Sequence, residues 1–302
     1  MGDAKGQFAH PRASWLDPAD GRIRDERELL TAMATRQVVL LGETHTVPEI
    51  HRWQLHVATV LRFLQPNIAV GFEMFPRRVQ PVLDEWIEGG LSTAAFLAKV
   101  EWETVWGFAA ELYLPLFHFC RQHRVPMLAL NCHRPLVTRV GKEGWDAVPE
   151  DERDGLTPSA PATLAYRRYL AGLRFDRPVT GEVDVSAVSD RFIRAQQTWD
   201  RAFACNIVRA LNVATPPLVI GIIGRGHLEY GHGTPYQLRD LGVSEIGVLL
   251  PTANDHHDAA PIAGIADAVF RLDEPEPEIV PPKMAEMIAN ARRKPAETLE
   301  RD

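Results

Sequence analysis

Five short apolar runs without polar alternation constrain this chain more than any other feature. They lie at residues 38–41, 68–72, 125–130, 218–223 and 246–250, and each is rich in Val, Ile or Leu. A strand with one wet face alternates, whereas an unbroken apolar strand is buried on both faces, as in a parallel sheet covered by helices. The spacers agree with that geometry. Ile50, Trp53, Val57, Val60, Leu61 and Leu64 form one apolar stripe at helical spacing after the first run; Phe192, Trp199, Phe203, Ile207 and Leu211 form another before the fourth. Strands alternating with helices predict an α/β class: a central, largely parallel β-sheet flanked by helices, in a single domain.

That domain is expected over residues 28–272, after a polar N-terminal arm at 1–27 and before a polar, proline-rich tail at 273–302 with one short helix at 285–291. Residues 141–162, acidic and rich in Pro and Gly, read as an irregular excursion from the core. The 33 Lys and Arg against 40 Asp and Glu give a formal charge of −7, which argues against a nucleic-acid partner, since that needs a basic face. Cys120, Cys132 and Cys205 make neither a CxxC pair nor a zinc spacing and fit small core residues in a reducing compartment. The N-terminus shows no apolar signal core and no lipobox cysteine, and no apolar run reaches membrane-spanning length, so the expectation is a cytoplasmic protein with no membrane span.

Function is expected where the strands end, because ligands of open parallel sheets bind outside the carboxyl ends. The first run is followed by Glu43 and His45, the second by Glu73, the third by Asn131, His133 and Arg134, and the fourth by Gly224-Arg225-Gly226-His227. Two carboxylates and two imidazoles at one rim suit two chemistries. Glu43, His45, Glu73 and His227 can hold a divalent metal that activates water, or share general acid and base roles without one. In the hydrolytic reading His45 is the general base, Glu73 its orienting partner or a metal ligand, and Gly226 and His227 lie near the oxyanion. Gly224-Arg225-Gly226 lacks both the P-loop lysine and the GxGxxG pattern, so it is no nucleotide fingerprint. Beyond it, Tyr230, His232 and Tyr236 concentrate groups able to ligate iron. Residues 254–258, with an Asp-His-His string, read as a polar loop rather than a metal cluster.

The chain as a whole resembles the ChaN-type haem-binding uptake family of the Tiki and erythromycin-esterase-like superfamily, over residues 36–250. The residues that carry the resemblance are Gly42-Glu43-Thr44-His45 with His51 and Gln54, then Gly71-Phe72-Glu73-Met74-Phe75 with Gln80 and Asp84-Glu85-Trp86. Trp102, Trp106, Tyr113, Pro115, Ala129-Leu130-Asn131, Ala195-Gln196 and Trp199-Asp200 follow, and then Gly224-Arg225-Gly226-His227 with Gly233-Thr234-Pro235. The resemblance implies an α/β fold, a polar pocket, haem as cofactor, a small-molecule ligand and a homodimer. It matches Tyr230 to the iron ligand and implies further cofactor contacts from His232, Arg225, Arg134 and Asn131. Iron-uptake members of the family are typically surface lipoproteins, a class this N-terminus does not match. More distant relatives imply the alternative, a metal-dependent peptidase-like or esterase-like hydrolase using Glu43, His45, Glu73 and His227.

Overall fold

A computed structural model describes residues 7–174, 188–258, 262–273 and 279–281. Among them the strands are β1 (Gln7–Ala9), β2 (Trp15–Leu16), β3 (Ile23–Arg24), β4 (Val38–Glu43), β5 (Ile68–Pro76), β6 (Met127–Asn131), β7 (Leu218–Gly224), β8 (Ile246–Thr252), β9 (His256–Asp258) and β10 (Ala268–Arg271). The helices are α1 (Glu26–Met33), α2 (Pro48–Leu64), α3 (Gln80–Glu88), α4 (Thr93–Lys99), α5 (Trp102–Val105), α6 (Ala110–His123), α7 (Arg134–Glu143), α8 (Leu164–Arg174), α9 (Asp190–Leu211) and α10 (Thr234–Asp240). Each of the five apolar runs forms a strand, β4 to β8, and every residue of β4, β5 and β7 is buried. Of the two apolar stripes, Ile50, Trp53, Val57 and Leu61 are buried on α2 and Phe203 and Ile207 on α9, whereas Leu64 is exposed.

The main sheet has the order β3-β2-β10-β8-β4-β7-β5-β6. From β10 to β6 every neighbouring pair is parallel, and only the two pairings of β2, with β10 and with β3, are antiparallel, at one edge. The single α/β domain with a largely parallel sheet is therefore as expected. Chain order and spatial order differ at its centre. The chain passes from β4 through α2 to β5, builds β6 at the edge, and returns through α7, α8 and α9 to insert β7 between β4 and β5. This insertion sets Glu43 opposite Gly224 across the ladder. All the parallel strands share one polarity, so their carboxyl ends open on one side.

Four local expectations differ from the structure. Among the described residues regular structure is present from Gln7, ahead of residue 28: β1 pairs with β9, and β2 pairs with β10 in the main sheet. Trp15 explains the attachment, since it is buried against Trp53 and Phe270 and its indole N–H donates to Glu26. Strands of two and three residues carry no periodic signal, which hides them from a sequence pattern. Residues 256–258, read as loop, form β9. Tyr236, grouped from sequence with Tyr230 and His232, sits apart from them in α10. Residue 141 lies in the last turn of α7, and the irregular stretch that follows packs Val148 and Leu156 into a cluster with α7 and α9. The proposed helix at 285–291 lies outside the described residues. Among the described residues no helix is long and apolar enough to cross a membrane.

Candidate functional site

Glu43 ends β4 with its side chain fully buried, which requires partners for both carboxylate oxygens. Oε1 accepts from His45 Nδ1 at 2.7 Å and from the Tyr113 hydroxyl at 2.9 Å, and Oε2 accepts from Gln54 Nε2 at 3.0 Å. Burial alone would raise the pKa of Glu43, but the His45 hydrogen bond and charge, then His51 and Gln54, hold it below the usual value. For His45, burial opposes the charge, yet the hydrogen bond and charge of Glu43, reinforced by Glu73, lift its pKa to about 9. His45 is thus an imidazolium at neutral pH. Trp106 and Phe108 wall it in, with ring centroids at 4.8 and 5.0 Å.

Glu73 sits in β5 where the register against β6 shifts between Phe72 and Pro76, a bulge that re-aims side chains. Its Oε2 accepts a short hydrogen bond from the Gly224 amide at the end of β7. A side chain there would crowd both Glu73 and His45. A Cβ on Gly224 would stand 3.2 Å from both Glu73 Oε2 and His45 Cε1 and 3.4 Å from His45 Nε2. The strand inserted between β4 and β5 therefore ends in a residue with no side chain, and the His45 ring and Glu73 carboxylate close over it.

A second imidazole and carboxylate pair follows β7. His227 ends a single 3-10 turn, Arg225–His227, and its Nδ1 donates at 2.7 Å to Asp200 Oδ1, which is buried midway along α9. Tyr166 from α8 donates to the other Asp200 oxygen at 2.5 Å. Burial again opposes the charge of His227, and Asp200 then Glu73 outweigh it, so its pKa is raised. One cavity of about 420 Å³ is lined by His45, Glu73 and His227, with Asn131 and Arg134 also on its wall.

Of the predicted acid-base set, three line this cavity and Glu43 lies behind His45, holding it. The four do not form the expected metal site. Among the described residues no group of three or more His, Cys, Asp or Glu is arranged to hold a metal ion. The donor chemistry at Glu43 accounts for part of this: both of its oxygens are spent on His45, Tyr113 and Gln54. The predicted cofactor set also divides. Asn131 and Arg134 line this cavity, whereas Arg225 and Tyr230 line a separate one of about 320 Å³ with His256 and His257. Arg225 is paired with Glu229, which also accepts from the Tyr169 hydroxyl at 2.9 Å. His232 lines neither cavity and packs against the rings of Tyr166 and Tyr169, at 5.7 and 5.8 Å.

Four residues that build the site carry no role in the sequence reading: Gln54, Tyr113, Tyr166 and Asp200. Asp200 had a usable signal, an acid between Trp199 and Phe203 on the apolar side of a long helix, where burial demands a partner. Tyr113 is, like Gln54 and Asp200, among the residues that carry the family resemblance, whereas Tyr166 had no signal, its partner lying 34 residues away.

The sequence profile of the family described as haem-binding uptake, Tiki superfamily, ChaN, matches residues 29–238. Among solved structures, ChaN of Campylobacter jejuni, described with cofacial haem binding, superposes with a TM-score of 0.65 at 18% identity, over 85% of this chain and 95% of that one. A mutant of the erythromycin esterase EreC, in its open conformation, superposes with a TM-score of 0.46 at 12% identity, over 80% of this chain and 76% of that one. The RETICULATA-RELATED 5 protein of Arabidopsis thaliana, described as chloroplastic, is 23% identical over 224 residues, 69% of this chain. The match spans 29% of the length of that relative.

Proposed function

This chain belongs to the ChaN family of haem-binding uptake proteins in the Tiki superfamily, and from that premise we propose that it binds haem at the cavity around Tyr230, in a role in haem and iron handling. The observation that carries the reading is the company Tyr230 keeps: a half-buried phenol, the Arg225 guanidinium and the imidazoles of His256 and His257 share one cavity. Phenolate and imidazole suit iron, and a guanidinium suits a carboxylate. At about 320 Å³ the cavity is at the small end for a ligand site, so a porphyrin would lie across it by part of one face. A second copy of the chain covering the other face accords with the implied homodimer. Haem, when bound, would supply an iron centre that Tyr230 would hold. Burial and then Glu229 raise the pKa of Tyr230, against the effect of Arg225, so the free protein keeps the phenol protonated. Ligation through Tyr230 would release that proton.

Titration with ferric haem, followed by absorbance, tests this. Saturable binding that tightens as pH rises, and that weakens about tenfold or more with a changed spectrum in Tyr230→Phe, is the expected result. An unchanged spectrum removes Tyr230 as ligand, and no saturable binding removes the proposal. The buried, unpaired state of all three cysteines supports a reducing, cytoplasmic setting.

A specific observation supports a second reading. Two imidazoles, each oriented by a buried carboxylate, face Glu73 across one cavity, an acid-base arrangement suited to hydrolysis. With His45 protonated at neutral pH, its role shifts from general base to proton donor. Glu73 takes the proton of a water attacking a carbonyl carbon, an imidazolium stabilises the oxyanion, and a proton passes from imidazolium to the leaving group as its bond breaks. Ester and peptide turnover that disappears in both His45→Ala and Glu73→Gln, with the circular dichroism intact, is expected. Turnover retained in both variants rules the reading out.

A further inference from the structure

Outside both cavities, two guanidinium groups converge with no carboxylate between them among the described residues. Arg77 opens the 3-10 turn after β5, and Arg209 lies in the last turn of α9. Their tips meet over Gly155, where a Cβ would stand 2.8 Å from Arg77 Nη1 and 3.3 Å from Arg209 Nη2. Both arginines are held by neutral acceptors. Arg77 donates to the Asp154 carbonyl at 3.1 Å, and Arg209 donates to the Gly155 carbonyl at 3.4 Å and to the Asn206 side chain. Like charges this close repel, and the pKa of Arg209 is lowered, by burial first and then by the charge of Arg77, against the weaker pull of Cys205 and Asp154.

The pair sits in an open groove of about 580 Å³ whose wall also includes Gln80 and Asn206, with Pro81, Leu128 and Ala129 as apolar surface. Arg78 also borders it but is spent on Glu101 at 2.8 Å. Among the described lining residues Asp154 is the one carboxylate, and its Oδ2 accepts from the His133 amide at 3.1 Å. The chain thus holds two cations together, hydrogen-bonded among the described residues to carbonyl and amide groups alone, on the wall of a groove large enough for a small molecule.

We propose that this groove binds the phosphoryl group of a small molecule, clamped between Arg77 and Arg209, with its organic part against Pro81 and Leu128. A carboxylate presents two oxygens, which one guanidinium fork satisfies. A phosphoryl dianion presents three, enough for two forks at once, and its charge cancels the repulsion between them. The proposal stands apart from haem binding and from hydrolysis, because the residues of the clamp belong to neither cavity.

Inorganic phosphate is the probe, titrated by calorimetry into the full chain against chloride at matched ionic strength. Saturable binding is expected, about tenfold or more weaker in Arg209→Ala, a change at the surface of α9 that leaves the core untouched. Arg77→Lys, which keeps the charge and removes the fork, should weaken it as well. His45→Ala and Tyr230→Phe should bind phosphate as the parent does, which separates this site from the two proposed above. Absence of saturable phosphate binding overturns the proposal, and so does parental affinity in Arg209→Ala and Arg77→Lys together.

Discussion

At the scale of single residues, the charge of His45 depends on a partner two positions away and on others far away in sequence. The motif around Glu43 and His45 is legible from the sequence as polar groups at a strand end. Its protonation state is not, because burial, Glu43 and Glu73 set it together. The stability consequence has a definite sign. A histidine whose pKa rises from 6.5 unfolded to about 9 folded stabilises the protein fully below 6.5, and the contribution is lost as pH rises through 9. Glu43, with a depressed pKa, acts in the other window: its contribution is present above its ordinary value of 4.5 and is lost as pH falls. Urea midpoints of the parent should therefore decline between pH 6.5 and 9. His45→Gln should flatten that decline but not abolish it, since the pKa of His227 is raised too. Identical slopes in parent and variant would mean that the His45 and Glu43 pair is not charged in the folded state.

At the scale of elements, the five buried strands and the two amphipathic helices are readable because periodicity is local. Strand order is not local: β7 reaches its place between β4 and β5 by pairing residues about 150 to 180 positions apart. The connection from β7 to α10 shows how much a short link must carry. It turns back on itself so that His227 meets Asp200, and it ends at Gly233, with φ +58° and ψ −124°. Here a Cβ would stand 2.4 Å from the His227 carbonyl oxygen and 2.8 Å from Asp200 Oδ1, so both backbone and packing demand glycine. Gly242, at φ +87° with nothing within 4 Å, demands it for the backbone alone. Gly233→Ala should cost about 2 kcal/mol or more, and Gly242→Ala about 1 kcal/mol, by urea denaturation. Equal losses would show that the turn relaxes around the added methyl group and that the clash carries no weight.

At the scale of the whole molecule, the N-terminal segment ties the sheet to the cavity at Tyr230. Polar composition makes residues 7–24 look like a loose arm, because their attachment rests on one tryptophan and a few very short strands. Trp15 fixes the middle of the segment in the core. Ahead of it, β1 pairs with β9, and His10 Nδ1 meets His257 Nε2 at 3.0 Å while His10 Nε2 donates to the Ser14 carbonyl at 3.0 Å. With His10 neutral and Nε2 donating to Ser14, Nδ1 accepts from His257 Nε2. Burial, His257 and Arg271 lower the pKa of His10, against a raising hydrogen bond to Ser14; burial, His256 and Arg271 lower that of His257, against Asp255. A lowered histidine pKa stabilises the closed state above 6.5 and loses that contribution as pH falls, the opposite direction from His45. Acidification should therefore loosen β1 from β9 while Trp15 keeps the remainder of the segment docked. Limited proteolysis ahead of Trp15 should be faster at about pH 5 than at about pH 7.5, and His10→Ala should lose most of that difference. His257 also lines the cavity of Tyr230, so the same acidification should weaken haem binding by more than protonation of the phenol alone requires. Cleavage independent of pH would leave the strap as a static edge cover for the sheet.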